Sequence, residues 1–432
     1  MKKITTLLII LFCFSPLIFA IEDTKKITIE EAISVALENN IDLQASKIDT
    51  QIKKNEIKIS NKLKNPGLGV FYNMGKAGKD NPQQIGITQT IELGKRGARK
   101  ELAKSKYNLA QRNEEYSKFD LRMDVREAYT NLLAKKSVYT TMKEQQEFLE
   151  AMLIQAQNLY KKRKTDEIDV LQAHLLLNQI ITQVNAAEYE VKSALYDFNK
   201  VINAKEGFYD TIENDFTEDY KPLMVPELNE NMPPFDTIAK QAINDRYDIK
   251  IALQEIDVAE KNLKVIIRKK IPDIDIQGGY SYQNPGQTVE RDNKFKNGAY
   301  VGANIVNIPI FNSYSPEIKN ARLKLEKAKL NYISTENKAL NDLEKAYNKF
   351  LLSKITLKNY NDKLIGDSEK LINASRKSYK NGNINLTTLI TMEESYRMID
   401  IAHTYAVMDY YNAWNEFIRQ VNNEDFILND NL

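Results

Sequence analysis

The chain has 432 residues with 61 basic and 59 acidic side chains, a net charge of +2, so bulk charge gives no reason to expect a nucleic-acid partner. Its one cysteine and two histidines exclude a cysteine–histidine zinc cluster, and neither His174 nor His403 has a second His or a Cys at ligand spacing. No His-Glu-x-x-His and no Gly-x-Ser-x-Gly occurs, so the sequence points to no catalytic residue, no metal site and no cofactor.

Lys2 and Lys3 precede an apolar stretch from Ile4 to Phe14, and Ile18-Phe19-Ala20 follows as a cleavage site. Residues 1–20 therefore read as a secretory signal peptide. Ile10-Leu11-Phe12 before Cys13 lacks the small residue a lipoprotein signal needs, so no lipid anchor is expected. No later stretch approaches the roughly 20 apolar residues of a membrane-spanning helix.

A helical pattern then runs from near Ile29 to Asn65-Pro66 and is followed by a β-like region over residues 66–93. There Leu68, Val70 and Tyr72, then Ile85, Ile87, Gln89, Ile91 and Leu93, alternate with small or polar residues. Residues 98–206 contain neither Gly nor Pro, which predicts very long helices. Residues 206–234, with Asp210, Glu213, Asp215, Glu218 and several prolines, read as a linker. A second helical pattern from Phe235 to Ile271-Pro272 leads into a second β-like region, 272–311, where Ile274, Ile276, Tyr280 and Tyr282, then Val301, Ala303 and Ile305, alternate. Ser315-Pro316 is expected to supply an N-cap and first helical residue. Trp414 among Tyr410, Tyr411 and Phe417 reads as helix-spaced core, and 423–432 as a polar tail.

The two stretches are copies of one unit. Ile41-Asp42-Leu43 aligns with Tyr247-Asp248-Ile249, Ala128-Tyr129 with Ala346-Tyr347, and Tyr160 with Tyr379, at offsets drifting from 206 to 219. The division is thus a first repeat at 21–205, the linker, and a second repeat at 235–422, each reading helix, β-hairpin, long helical hairpin. Apolar residues recur every seventh position at Leu102, Leu109, Tyr116 and Met123 and at Leu343, Phe350, Leu357, Leu364 and Leu371, the spacing of a supercoiled seam.

Two hairpins with period-two apolarity match transmembrane β-strands or, equally on that pattern alone, hairpins capping a soluble coiled coil. The leader favours the membrane. Strands in lipid must close into a barrel, whose smallest usual form has about 8 strands. Four per chain cannot close alone, so the subunits would share one barrel.

Duplicated halves with hairpins between long helices, Gln89-Thr90-Ile91-Glu92-Leu93-Gly94 in one half and Ile308-Pro309-Ile310-Phe311 in the other, resemble the TolC-like outer membrane efflux protein family over essentially the whole mature chain. The resemblance implies a mainly α fold with a small β part: a homotrimer with a 12-stranded barrel in outer-membrane lipid and a helical barrel in the periplasm. It implies a passive duct rather than an enzyme. Its partners would be a periplasmic adaptor and an inner-membrane pump of the resistance-nodulation-division type, with heavy-metal or drug cargo. A type I protein-secretion duct and a periplasmic coiled-coil structural protein are the alternatives.

Ile91 to Arg99 is similar to the strand-to-helix junction of cobalt, zinc and cadmium efflux channels. By its residues, Gly94 and Gly97 suit a tight turn, with Lys95 and Arg96 as solvated cations. The family also implies a constricted tip at the helical turns, near residues 160–169 and 379–391. Tyr160 and Asp169 match its aromatic and carboxylate positions in the first half, and Tyr379 and Gly382 its aromatic and turn glycine in the second. Thr388 and Thr391 replace second-half carboxylates, and Ile384 replaces an arginine. The first turn carries Lys161, Lys162, Arg163 and Lys164, then Asp166, Glu167 and Asp169, an order that helix dipoles alone favour. Asp169 is the leading gate candidate, beside Asp166 and Arg163.

Overall fold

The structure, a computed structural model, describes residues 24–72, 82–204, 209–216, 228, 232–283 and 297–423. The leader with Cys13, the polar hairpin loops, most of the linker and the tail from Glu424 lie outside the described residues.

After β1 (Lys25–Ile27), Thr28 opens the first half with a capping box: its hydroxyl accepts from the Glu31 N–H at 3.2 Å, and the Glu31 carboxylate accepts from the Thr28 N–H at 3.0 Å. The single helix expected here is two, α1 (Ile29–Asn39) and α2 (Ile41–Ser60). Between them Asn40 is extended at φ −61° and ψ 121°, and its Oδ1 accepts from the Leu43 N–H at 2.9 Å, so a side chain in mid-pattern restarts the helix. Next come β2 (Gly67–Tyr72), β3 (Pro82–Glu92), α3 (Lys95–Lys161) and α4 (Glu167–Ile202). The 67 residues of α3 extend about 100 Å at about 1.5 Å per residue. β4 (Tyr209–Thr211), a linker strand unforeseen in the sequence, pairs in parallel with β1. The Tyr129 hydroxyl fastens this belt to α3 by donating to the Ile27 carbonyl at 3.1 Å and to Glu213.

The second half repeats the order with α5 (Phe235–Asp245), α6 (Tyr247–Arg268), β5 (Asp273–Gln283), β6 (Gly298–Val306), α7 (Ser315–Asn359), α8 (Ile365–Lys380) and α9 (Leu386–Val421). Arg246 is extended between α5 and α6, as Asn40 is between α1 and α2. Tyr314, at φ 56°, occupies the cap of α7, which moves Ser315 from its expected cap position to the first helical residue.

α3 is the spine. α2 and α6 pack beside it towards the sheet and α4 and α9 towards the far end, with α7 on α6 and α9, and α8 on α9. The rows α2–α3–α6–α7 and α4–α3–α9–α8 follow. Trp414 is 1% exposed, with its ring 4.8 Å from Phe350 and 5.3 Å from Phe417, so the aromatic cluster is core as expected.

The seam in the second half departs from its expected course. Leu343, Phe350 and Leu357 are buried, but Leu364 and Leu371 are exposed, and Ser368, Ile372 and Ser375 are buried in their stead. Every buried position below residue 360 is one later than a seven-residue repeat requires. Residues Tyr360–Leu364 form a π-turn, in which the Ile365 N–H reaches the Tyr360 carbonyl five residues back. Such a turn absorbs one inserted residue without rotating the helix beyond it. The duplication places the insertion in the same interval: the offset is 218 at Tyr129 and Tyr347 and 219 at Tyr160 and Tyr379.

Candidate functional site

β2, β3, β5 and β6 form an antiparallel sheet in that order, with β3 against β5 joining the two halves. Directly opposed residues share a face. Leu68 faces Ile87, Val70 faces Ile85, Ile85 faces Tyr280, Ile91 faces Ile274, and Ile274 faces Ile305. All lie on one side with Ile276 and Val301, and Val301 is 85% exposed. The other side carries Gln84, Thr88, Thr90, Gln277, Ser281 and Asn304. One wet and one apolar face is the division a barrel wall needs in lipid. β2 and β6 each keep one unpaired edge.

Below the sheet, Gly94 turns β3 into α3 at φ 67°, and a Cβ there would meet the Arg268 guanidinium at 3.4 Å. Gly97 is helical and has open space around it, so the tight turn needs only the first of the two glycines. Lys95 is not the solvated cation expected. Its Nζ lies 2.8 Å from Asp273 Oδ1, with the two side chains 12% and 2% exposed, and Asn307 donates to the other carboxylate oxygen at 3.0 Å. Arg99 holds Glu92 through two bonds of 2.6 Å, while Arg96 is half-buried on the same turn. These pairs clamp the helix start to the strand ends of both halves.

At the far end the two helical turns share one backbone. The Lys164 N–H reaches the Leu159 carbonyl at 2.9 Å and the Arg163 N–H the Tyr160 carbonyl at 2.8 Å; Asn383 reaches Ser378 at 2.9 Å and Gly382 reaches Tyr379 at 3.0 Å. Both are Schellman closures, with Gly382 at φ 75° and Arg163 at φ 58° in the left-handed position. Asp166 starts α4 without a side-chain cap bond, and Asp169 accepts from the Thr165 hydroxyl. Tyr379 is pushed above the usual phenol range, first by burial and then by the charge of Asp169, a gate candidate from the other half. Tyr160 is half exposed on its own turn. Thr388 is tied to Asn385 Oδ1 through its N–H and hydroxyl at 2.8 and 2.7 Å, while Thr391 donates to the Thr387 carbonyl at 3.0 Å.

Sequence reasoning missed the bonds that hold the tip. Arg376 grips Glu393 at 2.6 and 2.9 Å and sits 5.4 Å over the Phe148 ring, and the carboxylate is 1% exposed. Thr387 donates to Gln172 at 2.8 Å and Arg397 to Gln183 at 2.6 Å, both from α9 to α4. No local spacing marks such pairs, which come together only once the hairpins are in register. A groove of about 460 Å³ between α3, α4 and α9 is lined by Asp124, Glu127, Glu190 and Asp197 with Lys135 and Tyr405. Among the described residues no group of three or more His, Cys, Asp or Glu could hold a metal ion, and no helix is long and apolar enough to cross a membrane.

A sheet apolar on one face, clamped to helices about 100 Å long that end in a bonded tip, defines an outer-membrane channel with a helical extension. The outer membrane efflux protein model matches residues 32–204 and 238–421, and the chain belongs to that family, whose members are passive channels rather than enzymes. No curated relative matches the sequence. Among solved structures it is similar to the Campylobacter jejuni CmeC outer membrane channel, with 16% identity and a TM-score of 0.72 over 91% of this chain and 85% of that one. The open Neisseria gonorrhoeae MtrE channel gives 16%, 0.70, 91% and 88%, and Vibrio cholerae VceC gives 13%, 0.69, 91% and 95%.

Proposed function

We propose that three copies close one 12-stranded barrel in the outer membrane, continued by a periplasmic helical barrel, and that the assembly is the passive exit duct of a tripartite efflux system. The open sheet carries this reading: four strands with an apolar outer face and unpaired edges at β2 and β6, which lipid cannot satisfy. Three copies exceed the minimum of about 8 strands. The helical flanks repeat the argument. Ile41, Ile48, Ile52 and Ile59 on α2 and Ile168, Leu175, Tyr189 and Tyr196 on α4 are exposed on one flank; Leu323, Leu330 and Ile333 on α7, Leu364 in the π-turn and Leu371 on α8 are exposed on the other. Head-to-tail contact between unlike flanks generates a ring.

A periplasmic adaptor and an inner-membrane pump of the resistance-nodulation-division type would supply selection and energy. On the resemblance drawn from the sequence, the cargo is a heavy-metal ion or a drug. The first test is mass in detergent beside single-channel conductance of the mature protein in a planar bilayer. A conducting trimer is expected; a soluble, non-conducting species would support a periplasmic coiled-coil protein instead. Gene deletion should then sensitise cells to zinc, cadmium, copper or hydrophobic drugs. Loss of a secreted protein without such sensitivity would move the assignment to type I secretion.

A further inference from the structure

Charge that cancels over the whole chain does not cancel beside the sheet. Residues 53–64, 95–106, 261–270 and 317–329, the stretches that adjoin the strands, hold 21 Lys and Arg against four Asp and Glu, where the full sequence has 61 against 59. Like charges gathered in one band repel one another, so folding alone gives no reason for the excess.

The two sides of α3 use their cations differently. Glu92 and Asp273 oppose each other on the polar face of the sheet, and Lys95 and Arg99 are paired with them. Seven-residue steps from Arg99 pass Lys106 and reach Glu127 in the groove, so this side of the helix continues the polar face. The same steps from Lys100, Glu101 and Lys104 reach Leu121, Tyr129 and Val125, which are buried with β1 and α1. That side lies opposite, below the apolar face that ends at Ile91 and Leu93, 37% and 40% exposed.

To it α6 adds Lys264, 2.7 Å from Glu101, and one turn nearer the sheet Arg268, whose guanidinium lies beside Gly94, seven residues before Glu101. Lys104, Lys264 and Arg268 are exposed and Lys100 is half-buried, and of the four only Lys264 is in an ion pair among the described residues. β3 and β5 are the inner strands of the sheet, and α3 and α6 the inner helices of their row, so contact between the flanks of two copies leaves these cations uncovered. Lys104 is ten residues from Gly94, about 15 Å along the helix, and Arg268 is beside it. They stand where hydrocarbon gives way to headgroups.

Resting on the duct reading, we propose that Lys100, Lys104 and Arg268 bind the phosphate of an anionic phospholipid in the periplasmic leaflet of the outer membrane, with its acyl chains against Ile91 and Leu93. Lys264 neutralises Glu101 beside them. Basic side chains next to a membrane-embedded surface attract acidic headgroups, and long Lys and Arg stems reach them from below. A zwitterionic headgroup brings an ammonium that these cations repel, and a soluble anion gains nothing from the apolar residues above.

The mature channel in non-ionic detergent is titrated with phosphatidylglycerol and with phosphatidylcholine of the same acyl chains, and bound lipid is counted by native mass spectrometry. Phosphatidylglycerol should bind at least about tenfold tighter, and Lys100→Gln/Lys104→Gln/Arg268→Gln should bring the two lipids within about twofold. Lys106→Gln, on the polar side of the same helix, should leave the preference within about twofold of its original value. Lys100→Arg/Lys104→Arg/Arg268→Lys should keep it, which separates loss of charge from loss of fold. Should the triple Gln exchange fail to trimerise, Arg268→Gln alone decides, with an expected fall in preference of about two- to threefold. Equal binding of the two lipids overturns the proposal, as does a preference that survives the Gln exchanges. Competition by glycerol 3-phosphate as strong as that by phosphatidylglycerol would mark a free-anion site and overturn it too. A soluble, non-conducting chain refutes the duct reading and this inference together; a conducting trimer that binds both lipids alike refutes this inference alone.

Discussion

Deleting Asp362 should be nearly silent for packing, whereas a deletion twenty residues earlier in the same helix should be ruinous. Asp362 is exposed inside the π-turn, and the buried positions on either side, Phe350 and Leu357 above and Ile372 below, are out of step by one residue. Removing one residue there leaves a continuous α-helix with both faces in register, at a cost within about 1 kcal/mol, because the less favourable π hydrogen bonds are lost with the insertion. Removing Asp342 instead rotates the helix from residue 343 to the π-turn by about 100°. That turns Leu343, Phe350 and Leu357, all at most 5% exposed, out of the core. Truncating a buried Phe or Leu costs about 2–5 kcal/mol each, so the chain should fail to assemble. Trimer yield and the midpoint of thermal aggregation in detergent for the two deletions give the comparison. If loss of Asp362 were as damaging as loss of Asp342, the reading of the π-turn as an absorbed insertion would be wrong.

Lys95→Met should strand the Asp273 carboxylate, 2% exposed, at a cost of about 3–5 kcal/mol, with Lys95→Met/Asp273→Leu recovering most of it in a double-mutant cycle of detergent stability. Additive losses would refute the pairing. Asp169→Ala should lower cation selectivity in planar bilayers if three copies ring the aperture, and unchanged conductance and selectivity would remove it from the gate. Burial holds the His403 ring below its ordinary value of 6.5, against the opposing pull of Asp400 and Asp215. A base depressed in the folded state leaves stability whole above the unfolded value and erodes it as pH falls through that value, because the unfolded chain takes the proton first. His403→Gln should therefore flatten the loss of thermal stability between about pH 7.5 and pH 5.5; parallel curves for the two proteins would sink this account. The ring's contact with Asn361, 2.9 Å from Nε2, would be kept by the amide.

The large features were legible because they are periodic. Alternation in Leu68, Val70, Ile85, Ile87, Ile274 and Ile276 marked the strands, and the absence of Gly and Pro between residues 98 and 206 marked the rods. What escaped was set by single residues or distant pairs. Asn40 breaks a helix by capping the next one, a role its neighbours do not announce. The slip from Leu371 to Ile372 was written in the offset between the halves, but only a π-turn makes one residue disappear from a seam. Lys95 looked solvated because Asp273, its partner, is 178 positions away. At the tip, Tyr379 and Asp169 were named individually, while Arg376 with Glu393 needed the fold to bring them together.

The unpaired edges of β2 and β6 also carry a genetic consequence. If each chain seals its wall only with two others, as proposed, it contributes to function by membership rather than by amount. When a cell makes equal quantities of a sound chain and one that assembles but cannot conduct, random mixing leaves about one duct in eight free of the defective kind. Such a mutant would be dominant, and its phenotype would deepen as its share of the pool rises, whereas a mutant whose strands never pair would be recessive. Dominance in a cell that makes both chains would thus mark a defect of the passage, and recessiveness a defect of the edge.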